Sequence, residues 1–103
     1  MSDARILLVG DAALRVEGVL DFTTVGRLAV EGGRLLSGEG PLEIDLGAVV
    51  QANSAGLALL VEWLDLARQR NLTLSFRNLP DSLARLAALT NLTSLLPVVP
   101  RRA

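Results

Sequence analysis

Pro41–Arg70, PLEIDLGAVVQANSAGLALLVEWLDLARQR, switches its hydrophobic period once, and that switch decides the fold. Leu42, Ile44 and Leu46 alternate with Glu43 and Asp45, the period of a strand with one face buried. Beyond a short loop, Leu57, Leu60, Val61, Leu64 and Ala67 recur at helical spacing, which predicts a helix over about 54–70 with this stripe in the core. Glu62, Asp65, Arg68 and Gln69 make a narrow polar wedge. Leu59, Trp63 and Leu66 form a second apolar stripe. It reads either as packing against the following helix or as an exposed interface patch.

Asn53-Ser54-Ala55-Gly56 opens that helix. A serine hydroxyl there lies among free backbone N–H groups at the positive end of the helix dipole. Ser54 has three readings: an N-cap, a contact for a partner, or a phosphoacceptor.

Working outward, Arg5–Val9 and Ala13–Glu17 read as strands joined at Gly10-Asp11, a hairpin. Asp21 is the expected N-cap of a helix running to about Leu36, with Phe22, Val25, Ala29, Gly32 and Leu36 on one side. Gly32-Gly33 costs that helix roughly 1 kcal/mol per glycine relative to alanine, and the pair is read as letting it lie close to the sheet. Ser37–Pro41 is a loop. Downstream, Leu72, Leu74 and Phe76 alternate as a further strand. Pro80-Asp81-Ser82 opens a helix that continues to about Leu89 and ends at Thr90-Asn91. A short turn over 92–96 follows, and the tail 98–103 is weakly specified.

The expected order is β-β-α-β-α-β-α. It predicts a single α/β domain over 1–103, with a mixed sheet of four to five strands and helices packed mainly on one face. Its core should comprise Leu42, Ile44, Leu46, Leu57, Leu60, Val61, Leu64, Leu72, Leu74 and Phe76. The helices opened by Ser54 and by Pro80 should start at the same edge of the sheet, because each follows a strand running the same way.

With 103 residues there is room for one core, and half the residues are apolar. A net charge of -1 leaves no electrostatic footprint for nucleic acid. All ten basic residues are arginine, and His, Cys, Tyr and Lys are absent. No thiol chemistry and no Cys/His zinc site can be built, and Ser54 lacks the usual bases that would activate a nucleophile. No phosphate-binding GxxxxGK[ST] loop exists. The expectation is therefore a protein that is not an enzyme, with no cofactor and no metal. Glu43 and Asp45 read as a solvated strand face rather than a metal pair. Arg101-Arg102 is too short to act as a membrane-binding cluster. No apolar run approaches the ~20 residues that span a bilayer, and no secretory leader is visible, so a cytoplasmic chain is expected.

Three local matches together resemble the STAS domain family, over nearly the whole chain. Glu17-Gly18-Val19-Leu20-Asp21 resembles the segment that ends the second strand and caps the first helix. Ile44-Asp45-Leu46 followed by Asn53-Ser54-Ala55-Gly56-Leu57 resembles the central signature, and Leu86–Leu92 resembles the end of the third helix. The run Ser54–Leu60, followed by Leu64-Asp65-Leu66-Ala67-Arg68, is most similar to the MlaB type, the small STAS subunit of the Mla phospholipid-transport ABC system.

That resemblance implies a cytoplasmic subunit, peripheral to the inner membrane through its partner. It would bind and support an MlaF-like ABC ATPase subunit, in a complex with a membrane permease that maintains outer-membrane lipid asymmetry. The residues expected to meet the partner are Asn53, Ser54, Ala55, Gly56, Pro80 and Ser82. Other single-domain members are anti-sigma factor antagonists switched by phosphorylation of the motif serine, which here would be Ser54. Asn53 departs from the common signature, which has Asp at that position. Ser54 stands where the lipid-transport member has Thr.

Overall fold

The computed structural model describes residues 3–38 and 40–99. Strands β1 (Ala4–Gly10) and β2 (Ala13–Leu20) form the antiparallel hairpin expected around Gly10-Asp11. Helix α1 (Val25–Leu35) then carries the chain to β3 (Pro41–Ala52), which runs parallel to β2. Helix α2 (Ser54–Gln69) carries it to β4 (Thr73–Arg77), parallel to β3. Helix α3 (Asp81–Leu89) and a 3-10 turn at Thr93–Leu95 complete the described elements. The result is a four-stranded mixed sheet in the order β1-β2-β3-β4, within the expected range. The described end of the tail nearly adds a fifth strand. Phe76 donates its N–H to the carbonyl of Pro97 at 2.9 Å and accepts from Val99 N–H at 2.7 Å.

One face of the sheet is apolar because the strands alternate. Ile6, Leu14, Val16, Leu42, Ile44, Leu46, Leu74 and Phe76 are buried on it beneath the helices. The opposite face carries the charges. Arg5 bonds Glu17 at 2.6 Å, and Arg77 grips Glu43 with two hydrogen bonds at 2.9 and 3.0 Å. That grip raises the Arg77 pKa further above its ordinary value. Asp45 accepts from Gly47 N–H at 2.8 Å and from Asn78 Nδ2 at 3.0 Å. Glu43 and Asp45 are thus each engaged with a separate neighbour.

The helices correct several sequence expectations. Helix α1 starts at Val25, later than Asp21 suggested, because residues 21–24 form a turn of their own. Thr24 Oγ1 accepts from Asp21 N–H at 3.0 Å and donates to the Val19 carbonyl at 2.8 Å. Phe22, expected in the first turn of the helix, therefore lies before it and is 77% exposed. On α2, Val61 is 37% exposed and Leu64 only half-buried. Leu59 and Trp63 of the second stripe are instead fully in the core, with Leu66 half-buried against it. The reason is Gly32. A Cβ at that position would lie within 2.7 Å of Nε1, Cε2 and Cζ2 of Trp63, so the missing side chain admits the indole. The glycine brings α1 close to α2, where closeness to the sheet had been expected. Trp63 Nε1 is buried with no hydrogen-bond partner among the described residues. At the far end of this helix pair, Arg70 donates to the Leu36 carbonyl at 2.7 Å and also to that of Gly33. A cation thereby meets the carbonyl end of α1.

Candidate functional site

The start of α2 is built by Asn53. Its N–H donates to the Leu20 carbonyl at 3.1 Å, anchoring the turn to the end of β2. Its side-chain Oδ1 accepts from Ala55 N–H at 2.9 Å, and its carbonyl accepts from Gly56 N–H at 2.9 Å. Asn53 is thus the N-cap, a role also open to Ser54 on sequence alone. Ser54 occupies the first helical position, exposed, and its hydroxyl makes no hydrogen bond to any described residue. Of the first three helical N–H groups only that of Ser54 remains without a described partner. The cradle of free N–H groups expected at this end is therefore mostly occupied by Asn53 itself.

Ala55 and Gly56, which the resemblance implies would meet a partner, are both buried. A Cβ on Gly56 would sit 3.0 Å from Leu20 Cβ and 3.4 Å from Leu83 Cδ2. The space beside Gly56 is thus filled by Leu20 of β2, Ala52 of β3 and Leu83 of α3. This packing brings the start of α3 against the start of α2, as parallel β3 and β4 require. Pro80 is the N-cap of α3 and, like Ser82, half-buried. Pro80 borders a shallow depression with Leu46, Gly47, Val49 and Asn78, separate from the exposed Ser54 hydroxyl.

The sequence reading missed the neighbouring surface. Between α1 and α2 lies an apolar groove of about 310 Å³. Gly26, Ala29, Ala55 and Ala58 line it with small groups, Phe22, Val25 and Leu59 with larger ones, and Glu62 contributes a charge. It shares Ala55 with the α2 start, one residue from Ser54. The available signal was Phe22-Thr23-Thr24: two threonines before Val25 delay the helix and leave Phe22 outside it. Chemically, the groove offers an apolar recess with a free hydroxyl nearby and one carboxylate. It brings together no base, nucleophile and oxyanion donors of the kind a hydrolytic site needs.

The family model described as Mlab, STAS domain matches residues 8–97. No curated protein matches the chain in sequence. Among solved structures, the chain is similar to an anti-sigma factor antagonist from Mycobacterium paratuberculosis. The TM-score is 0.76 at 22% identity, over 96% of this chain and 87% of that one. It is also similar to the anti-sigma factor antagonist SpoIIAA in its unphosphorylated form, with a TM-score of 0.71 at 10% identity, over 96% of this chain and 90% of that one.

Proposed function

The chain belongs to the STAS domain family, and from that premise we propose that it is a non-catalytic subunit that docks on the ATPase of a phospholipid-transporting ABC system of the Mla type. The observation that carries this reading is the pairing of an exposed, unbonded Ser54 hydroxyl with an apolar groove bordered by Phe22, 77% exposed. A partner helix laid in the groove would cover Phe22 and place a polar group against Ser54. The subunit would act by mass action, stabilising the ATPase in its folded and assembled state, and so support lipid transport without chemistry of its own.

Calorimetric titration against a purified Mla-type ABC ATPase subunit tests the reading. Ser54→Arg should abolish binding, Phe22→Ala should weaken it by about 2 kcal/mol as an interface anchor does, and Ser54→Ala by about 1 kcal/mol. Unchanged affinity in folded Ser54→Arg and Phe22→Ala proteins would move the interface elsewhere.

A second reading, an anti-sigma factor antagonist switched by serine phosphorylation, is favoured by the same accessible hydroxyl. Asn53 counts against it, since the signature carboxylate is replaced by an amide that is already engaged in capping. Opposite effects of Ser54→Ala and Ser54→Asp on binding to a kinase-like partner would select this second reading.

A further inference from the structure

The tail pairs with one edge of the sheet at Phe76, and the other edge holds an open window. On the β4 side, both backbone groups of Phe76 are taken by Pro97 and Val99. On the β1 side, the ladder fixes which groups point outward. Val19 donates its N–H to the Asp3 carbonyl at 3.0 Å, so Asp3 faces β2. With the two-residue period of an antiparallel pair, Arg5 opposite Glu17 and Leu7 opposite Arg15 face β2 as well. The N–H and C=O groups of Ala4, Ile6 and Leu8 therefore point away from the sheet. Ala4 agrees with this, because its outward carbonyl accepts a hydrogen bond from Arg27 on α1. No described residue bonds the backbone of Ile6 or Leu8 on that side. The register shifts between Leu8 and Gly10, and the resulting bulge ends the window at Val9. What remains is a short edge between an arginine cap and a bulge.

We propose that this window is a dimer edge, where β1 pairs antiparallel with β1 of a second copy about a two-fold axis at Leu7. Two four-stranded sheets then join into one of eight strands. A two-fold at Leu7 sets Ile6 of one copy opposite Leu8 of the other, and the reverse. Both open residues of each copy are used, and the capped Ala4 carbonyl is left out. Shifting the axis to Ile6 would instead require that carbonyl to break from Arg27. The proposed register sets Arg5 opposite Val9, so no like charges face each other along the paired strands. Residues 6–10, ILLVG, carry no charge. The edge therefore offers nothing to attract a charged peptide and matches an apolar strand, which its own copy supplies. Leu8 and Val9, 62% and 45% exposed, flank the junction and gain cover there. The pairing lies on β1, away from the α2 start and the groove, and does not depend on the ATPase reading.

Sedimentation velocity of the full chain over a concentration series tests it, with amide hydrogen exchange read at Ile6 and Leu8. The expected result is a monomer–dimer equilibrium in which these two amides gain protection as the dimer fills. Leu8→Pro removes an outward N–H that the monomer does not use, so the hairpin keeps its ladder bonds. Two backbone hydrogen bonds are lost per dimer, and dissociation should strengthen by about 30-fold. Leu8→Lys, which leaves the backbone intact, should also shift the equilibrium to monomer and serves if the proline variant unfolds. A chain that stays monomeric at millimolar concentration overturns the proposal. So does a dimer whose Ile6 and Leu8 amides remain unprotected, or one that neither variant weakens.

Discussion

Asn53 and Ser54 divide between them two tasks that either residue type can perform. The Asn53 side chain satisfies the helix, and the Ser54 hydroxyl is left to the solvent. Asn53→Ala should therefore destabilise the fold by about 1 kcal/mol, the usual loss for an N-cap, whereas Ser54→Ala should leave stability nearly unchanged. Urea denaturation of both variants checks this, and equal losses would contradict the assignment of the cap. The sequence made the helix start legible, because polar Asn-Ser followed by small residues suits few other structures. It could not rank Asn53 against Ser54, since both are good caps. The order is set by the Asn53 N–H bond to Leu20, a contact 33 positions away in the chain. Phe22 was misplaced for a similar local reason, the turn that Thr24 closes with Asp21 and Val19.

Among the elements, the strands were the most legible and the helix faces the least. Period-two alternation marks a strand with one buried face without ambiguity, and Leu42, Ile44, Leu46, Leu72, Leu74 and Phe76 are all buried as expected. Helix α2 is apolar around most of its circumference, so its own sequence does not say which stripe turns inward. Gly32, on another helix, decides it by opening the site that Trp63 fills, which leaves Val61 and Leu64 nearer the surface. Gly32→Ala drives a methyl group to within 2.7 Å of the indole nitrogen. It should cost roughly 1–3 kcal/mol through overpacking, even though alanine is the better helix former. Chemical denaturation followed by circular dichroism measures it, and a stabilised variant would mean that α1 does not approach α2 as described.

For the molecule as a whole, the uncovered sheet face gives a pH dependence. The hydrogen bond from Arg5 lowers the Glu17 pKa most strongly. The charges of Arg5 and Arg15 add to this, and partial burial opposes it. A carboxyl whose pKa is lower folded than unfolded stabilises the native state above its unfolded value. That contribution fades as the pH falls through the lower, folded value. The Glu17 carboxyl, followed by NMR titration, should thus have its midpoint below that of an ordinary glutamate. In Arg5→Gln the midpoint should rise; an unmoved midpoint would show that the Arg5 contact does not persist in solution. The order of strands and helices could be read in the sequence for this face too. Which arginine meets which carboxylate could not, because cross-strand register depends on the hairpin and on the bulges in β2 and β3.

Trp63 is the sole tryptophan of a chain without tyrosine, and it is sealed at the α1–α2 seam with its indole N–H unbonded among the described residues. Any near-ultraviolet emission signal from the chain is therefore a signal from that one seam. In the closed state the ring is shielded from water and should emit toward the blue. If a ligand in the overlying groove pries the helices apart, water reaches the indole and the emission shifts to the red. A ligand that docks without moving them leaves the colour unchanged. The protein thus carries its own optical gauge of whether occupancy of the groove is felt in its interior, with no label attached.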